Sequence, residues 1–446
     1  MMRWPGKATV WRWHFYAGLF CVPFVLWLSL TGSIYLFRPQ IEAWLDRPYA
    51  AVADAAAPRA TPAAQVAAAV RAVPGAVLHR YELPDTSTQA VQVVVGRGGH
   101  ETRVYVHPRT LAVLKVADED SRPMRVIFRL HGELLAGAVG SYLVELAASW
   151  TIVLLLTGLY LWWPRGSGLA GTLYPRVRSG GRRFWRDLHA VTGIWVSFAA
   201  LFLLLSGLPW AKSWGTYLKT VRSLATDAPV RQDWATSSAE DRRARAAADA
   251  GTRAMLSEHA EHGGMAMAHP ATSYAPLDRL VPAVAALRLA PPVLISPPAG
   301  PAAPWIAKSD AADRPLRTDL TLDASGTVLT RKDFAQRRLV DRLVGWGVAI
   351  HEGQAFGWLN QLLNLLTALG LSLIAVSGTV LWWRRRPAGG LGAPPARPLG
   401  GMPTLALAIV MLAVLLPLFG LSLLAVLVLD QLIRRAGAAR ATAFAA

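Results

Sequence analysis

Hydrophobic positions in this chain gather into five long runs, at 15–37, 141–163, 190–210, 356–383 and 403–429. Each run reaches the roughly 20 residues that cross a hydrocarbon core about 30 Å thick, so each predicts a membrane-spanning helix. The first is too long for a cleaved signal segment and lacks a small-residue cleavage site, which predicts a retained anchor. Between the runs lie two long connections, 38–130 and 211–350, in which the periodicity changes. In the first, 61–73 has helical spacing. Strand patterns follow at 77–83, 90–95 and 103–116, the last broken by a turn at His107-Pro108. The second repeats the order, with a helix at 277–289, strands at 292–296 and 305–308, and a hairpin around 323–326. Both connections therefore predict small α+β units. A polar, Ala/Arg-rich insert at about 220–270 precedes the second unit and predicts a loosely ordered segment.

Composition agrees with the runs. With 53% hydrophobic and 17% charged residues, a chain of 446 residues is too apolar for an ordinary soluble enzyme. The formal charge of +18 would by itself suit a nucleic acid, but much of the arginine borders the apolar runs, so membrane lipid explains it and no nucleic-acid partner is predicted. Segment 164–188 carries Arg165, Arg176, Arg178, Arg182, Arg183 and Arg186 against Asp187; Arg384, Arg385 and Arg386 close the fourth run, and Arg3, Lys7 and Arg12 precede the first. Basic residues beside spans are retained in the cytoplasm, which places the N-terminus and 164–188 inside and both long connections outside. The fifth run would carry Arg434 and Arg435 outward, in conflict with that rule, so its path stays open. The single cysteine, Cys21, excludes a disulfide framework and a Cys-ligated cluster.

The chemistry lies in an internal repeat. His14 is followed at offsets 4 and 18 by Gly18 and Gly32, and His189 at the same offsets by Gly193 and Gly207. His131 precedes Gly158, Trp162 and Trp163 by 27, 31 and 32 residues, and His351 precedes Gly378, Trp382 and Trp383 by the same numbers. A residue that is small and polar stands before four of these glycines: Thr31, Ser206, Thr157 and Ser377. Two related halves, each contributing two histidines, predict matched pairs, His14 with His189 and His131 with His351. Ionisable groups at a membrane are tolerated facing a partner in the bundle interior, and imidazole is the commonest metal ligand, so each pair is a candidate to grip one haem iron from both sides. Arg12, Arg186 and Arg129 stand near the histidines as candidate partners of haem propionates. Glu133, Glu352 and Asp187 are either hydrogen-bond partners of the histidines or solvated acids. The small residues let helices approach closely or leave room for a flat macrocycle, and the paired tryptophans read as an interfacial belt. Because His131 lies ten residues before the second run, a straight helix would lift it about 15 Å clear of the span. A bend at Gly137 and Gly140, and at Gly353 and Gly357 in the other half, is therefore predicted.

These residues resemble the PepSY-associated transmembrane family, which includes bacterial inner-membrane ferric-siderophore reductases. The resemblance rests on Trp11-Arg-Trp-His14 with Gly18, on Leu130-His131-Gly-Glu-Leu-Leu with Gly137 and Gly140, on Asp187-Leu-His189 with Gly193, and on His351-Glu-Gly-Gln-Ala-Phe-Gly357. It implies a mainly α membrane bundle with a two-fold internal repeat of two transmembrane helices each, plus a C-terminal hydrophobic segment, with α+β PepSY-like periplasmic domains. The expected organisation is 1–38 N-terminus and first span; 39–125 first periplasmic domain; 126–163 interfacial helix and second span; 164–188 cytoplasmic loop; 189–211 third span; 212–345 insert and degenerate second domain; 346–386 interfacial helix and fourth span; 387–446 linker and C-terminal segment. The implied function is a di-haem b reductase of the inner membrane, moving electrons to a periplasmic metal complex, with a ferric siderophore as the first candidate. There is no G-x-G-x-x-G after a strand and no flavodoxin-like pattern, so the donor is expected to be quinol or a separate cytoplasmic reductase. The insert also holds His259, His262, Met265, Met267 and His269, a soft-donor tract that points to copper as a rival substrate. A further alternative is a membrane-anchored sensor or binding protein without redox activity.

Overall fold

The computed structural model describes residues 6–52, 58–164, 168–224, 238–262, 274–300, 303–393 and 403–443. Among the described residues, four helices are long and apolar enough to cross a membrane: Lys7–Leu36, Gly137–Trp162, Gly181–Trp210 and Trp358–Trp383. They are called the first to fourth spans. The chain divides into two compact units, a helical one of Met1–Gly32, His131–Ser237 and Leu365–Ala446, and a sheet-bearing one of Ser33–Leu130 and Ser238–Asn364.

In the helical unit, the run at 403–429 does not form one span. It makes two helices, Pro403–Leu415 and Pro417–Ala443, whose apolar stretches, Leu405–Leu415 and Pro417–Leu432, are each shorter than a span. Pro417 has no N–H to continue the ladder and its ring crowds the carbonyl four residues back, so the run breaks there. Gly420 lets the turn close, since a Cβ at that position would stand 2.9 Å from the Ala413 methyl. Phe419 then packs edge-on against Trp150 of the second span at 5.0 Å, and the Trp150 indole N–H donates to Ser422 Oγ at 3.0 Å. The helix Lys212–Leu224 is held at its start by the second span, where Ser141 Oγ accepts from Lys212 N at 3.1 Å and Glu145 from Ser213 N at 2.8 Å. Glu145, buried at 2% exposure, thus serves as a helix cap contributed by another helix.

The break before the second span is sharp. The helix Pro123–Glu133 ends, Leu134, Leu135 and Gly137 all take positive φ, and Gly137–Trp162 begins. A Cβ at Gly140 would run into the Glu133 carbonyl, so this close approach requires glycine. In the sheet-bearing unit the helix Leu339–His351 ends likewise, at Gly353 and Gly357 with φ of 74° and 59°, before the fourth span starts at Trp358. Both predicted bends are present at these glycines.

The sheet is one continuous antiparallel layer of eight strands: β1 Val77–Glu82, β2 Val91–Arg97, β3 His100–Val106, β4 Val113–Asp118, β5 Val293–Ser296, β6 Trp305–Ser309, β7 Thr318–Leu322 and β8 Val328–Asp333. Their order is β4-β3-β2-β1-β5-β6-β7-β8. Each connection forms a four-stranded meander, and the two join where Tyr81 pairs with Ile295 and Glu82 with Leu294. The strand patterns in the sequence predict these strands within a few residues, but not this junction. Helices Pro62–Ala72 and Leu277–Ala286 lay Val66, Ala69, Leu277, Leu280 and Val284 onto a core with Leu78, Tyr81, Val93, Ile295 and Leu320.

Part of the polar insert is ordered, contrary to the expectation of a loose segment. The helix Ser238–His262 runs along β1 to β3 and buries Arg245, Asp249 and Thr252. A bulge between Leu78 and Arg80 turns His79 out of the alternation. Its Nδ1 meets Glu101 Oε1 at 2.9 Å, and its Nε2 meets Asp249 Oδ1 at 2.7 Å. Asp249 also accepts from Gly99 N at 2.8 Å. Burial opposes ionisation of Glu101, but the hydrogen bond from His79 and the charges of Arg80 and Arg245 outweigh it and hold the carboxyl at about 2. Polar residues that suggested a loose chain are here one side of a buried charge network.

Candidate functional site

His14 lies on the first span and His189 on the third, both in the helical unit. Their ring centroids are 6.4 Å apart, with the ring planes at 88°. Each Nδ1 is tied to a neighbouring span. His14 Nδ1 is 3.0 Å from Thr157 Oγ1, and that hydroxyl donates to the Val153 carbonyl at 2.8 Å. With its proton committed, the hydroxyl accepts, so His14 donates from Nδ1. His189 Nδ1 is 3.0 Å from the Ile374 carbonyl, an acceptor only, and 3.2 Å from Ser377 Oγ, which donates to the Leu373 carbonyl at 2.6 Å. His189 therefore donates from Nδ1 as well. In the neutral rings both lone pairs are then on Nε2, the tautomer in which imidazole ligates a metal.

The glycines that follow these hydroxyls make room for the rings. A Cβ at Gly158 would stand 3.1 Å from His14 Cε1, and one at Gly378 would stand 3.2 Å from His189 Cε1. A third histidine in the helical unit has the same surroundings. His131 Nδ1 is 2.9 Å from Thr31 Oγ1, whose proton goes to the Trp27 carbonyl at 2.9 Å, and a Cβ at Gly32 would stand 3.2 Å from His131 Cε1. The dipeptides Thr31-Gly32, Thr157-Gly158 and Ser377-Gly378 are thus receptors for imidazoles. Their reading as packing devices missed this; the signal was their recurrence at fixed distances from the histidines.

His351 closes the helix Leu339–His351 in the sheet-bearing unit. Its last carbonyls are satisfied from the fourth span: Asn364 Nδ2 donates to Ile350 O at 2.6 Å and to His351 O at 3.1 Å, and Asn360 Nδ2 donates to Ile350 O at 3.1 Å. Gln361 Nε2 donates to Leu36 O at 3.0 Å. This buried polar row holds backbone carbonyls.

The arginines divide. Arg186 is engaged by Asp187, with Nη2 to Oδ1 at 2.6 Å, and Arg176 Nε meets the other oxygen at 2.6 Å. The fully buried Asp187 therefore ties the loop to the third span, while the imidazole of His189 is held by Ile374 and Ser377. Arg12 lies over the Tyr16 ring at 5.1 Å. Arg129 has a buried Nε with no hydrogen-bond partner among the described residues, as suits a guanidinium that receives an anion. The soft-donor tract lies outside the description: Met265, Met267 and His269 are not among the described residues, nor are the side chains of His259 and His262.

Residues 11–385 match the model of the PepSY-associated TM region. The chain belongs to this family. The match takes in most of the first span, the other three spans, all four repeated histidines and both strand sets, and ends before the two C-terminal helices. No curated protein matches the chain.

An imidazole–iron–imidazole arrangement separates ring centroids by about 6 Å, the sum of two metal–nitrogen bonds of roughly 2 Å and two ring radii. The spacing of His14 and His189 fits it, and so does the donor chemistry of two neutral rings with Nε2 lone pairs.

Proposed function

We propose that this PepSY-associated protein is a b-type haem reductase of the bacterial inner membrane. It draws electrons from quinol or a separate cytoplasmic reductase and reduces an oxidised metal complex in the periplasm, a ferric siderophore first. The reading is carried by one observation: two imidazoles 6.4 Å apart, each tied through Nδ1 to another span. Among the described residues no three His, Cys, Asp or Glu side chains converge as a cage for a bare ion. Two imidazoles suit a macrocycle that supplies the other four positions. The duplicated spacing in the sequence extends the reading to a second haem at His131 and His351.

A haem held by the His14 and His189 imidazoles would supply one-electron transfer. The chain's own residues do the rest. Thr157, Ile374 and Ser377 fix the tautomer and aim of the ligating rings, and Gly158 and Gly378 admit those rings against the helix backbone. The arginines of 164–188 and 384–386 set the N-terminus and this loop in the cytoplasm and the sheet in the periplasm. Reduction of Fe(III) by one electron yields Fe(II), which an oxygen-ligand chelator holds less tightly, releasing the metal for import.

The absorption spectrum of the purified full-length protein tests this. A Soret band that shifts on adding dithionite is expected, and it should weaken in His14→Ala and in His189→Ala. A colourless protein, or a band unchanged in both variants, sinks the reading and leaves the anchored sensor.

A further inference from the structure

One cation near His14, Arg385, has so far served only as one of the charges that set topology. Arg385 follows the end of the fourth span by two residues. Its guanidinium lies 4.2 Å from the centre of the Trp11 ring and 5.5 Å from that of Phe15, both on the first span. Trp11 stands about one helical turn from His14. Arg385 Nη2 donates to Gly392 O at 3.2 Å, while Nε is buried without a hydrogen-bond partner among the described residues. Among the described residues no carboxylate pairs with Arg385, and the neighbouring charge it feels is that of Arg182, a second cation. Nearby arginines are provided for: Arg186 and Arg176 share Asp187, and Arg386 lies over the Trp383 ring at 3.4 Å. A guanidinium stays protonated in proteins, so a buried N–H without an acceptor, beside a like charge, marks a place short of one anion.

We infer that Arg385 binds a propionate carboxylate of the haem held by His14 and His189, an inference that rests on the haem reading above. The planar guanidinium, fixed by two aromatic rings, presents N–H donors suited to carboxylate or phosphate. Burial of Nε against first-span residues favours an anion reaching it from inside the bundle over a lipid phosphate at the surface. Arg385 is a positioning residue: it orients the macrocycle and leaves ligation to the imidazoles.

The test separates the carboxylate from the ring that carries it. Full-length protein with His131→Ala, which leaves the His14/His189 site to report, is made in haem-starved cells. Its membranes are titrated with haem or with haem dimethyl ester, whose propionates are uncharged. With Arg385 intact, haem is expected to bind roughly ten- to a hundredfold more tightly than the ester. Arg385→Gln should bind the two about equally, and Arg385→Lys should recover part of the preference. Because each variant is compared with itself across two ligands, a partly misfolded fraction does not imitate the result. An undiminished preference in Arg385→Gln overturns the assignment, as does loss of co-purifying anionic lipid from that variant with the preference intact. Binding of neither compound with Arg385 intact sinks the haem reading itself. Equal binding of both with Arg385 intact keeps the haem and removes Arg385 from its site.

Discussion

At the scale of single residues, the decisive atoms are the Nδ1 nitrogens. A histidine that donates from Nδ1 to a fixed acceptor has its ring plane and tautomer set before any metal arrives, and loss of such a partner typically weakens a metal site ~10- to 100-fold. Thr157→Val keeps the shape and removes the acceptor for His14, so haem dissociation measured by transfer to an acceptor globin should accelerate by about tenfold or more. Ser377→Ala should cost less, because the Ile374 carbonyl still accepts from His189. Gly158→Ala brings a methyl to 3.1 Å from His14 Cε1 and should lower haem content, with the amount of protein in the membrane fraction as control. An unchanged dissociation rate in Thr157→Val together with full haem content in Gly158→Ala would show that these residues serve helix packing alone.

Among elements, the helix Ser238–His262 meets the sheet through a buried charge network, where helices Pro62–Ala72 and Leu277–Ala286 meet it through apolar side chains. Asp249→Ala would leave His79 Nε2 and Gly99 N without their acceptor in a buried setting. Breaking a buried pair on one side costs about 3–5 kcal/mol, and protease cleavage within 238–262 is the readout. Glu101 gives this network an acid limit. Its carboxyl sits near 2 against an ordinary value of 4.5, so the stability it contributes is complete above 4.5 and is lost as pH falls toward 2. Thermal denaturation of the full chain should therefore steepen in that window. Glu101→Gln should flatten the dependence there while lowering stability at neutral pH; an identical acid profile would remove Glu101 from the account.

For the whole molecule, the repeat makes a numerical prediction. Haem and protein assayed together should give about two haems per chain, with His14→Ala and His189→Ala each removing one and His131→Ala and His351→Ala each removing the other. A value near one, unaffected by His131→Ala or His351→Ala, would restrict the redox reading to the first pair. Such an outcome would leave the receptor at Thr31-Gly32 as a structural contact of His131.

The sequence by itself determined four of the five predicted spans, the strands and the bends, because these answer to local physics. Twenty apolar residues need a membrane, alternation needs a sheet, and Gly137, Gly353 and Gly357 permit positive φ. It also singled out His14, His189, His131 and His351, since a duplicated offset survives without coordinates. What hydroxyl meets which imidazole depends on residues a hundred or more positions apart, so Thr157, Ser377 and Thr31 acquired their roles only in three dimensions. The joining of β1 to β5 is likewise a pairing of distant edges that no local pattern encodes. The same holds for the helix at 238–262, whose polar face resembles disordered chain until Glu101, Arg80 and His79 are placed opposite it. Local periodicity reports which side of an element is apolar; only tertiary contact decides whether its polar side meets water or a partner.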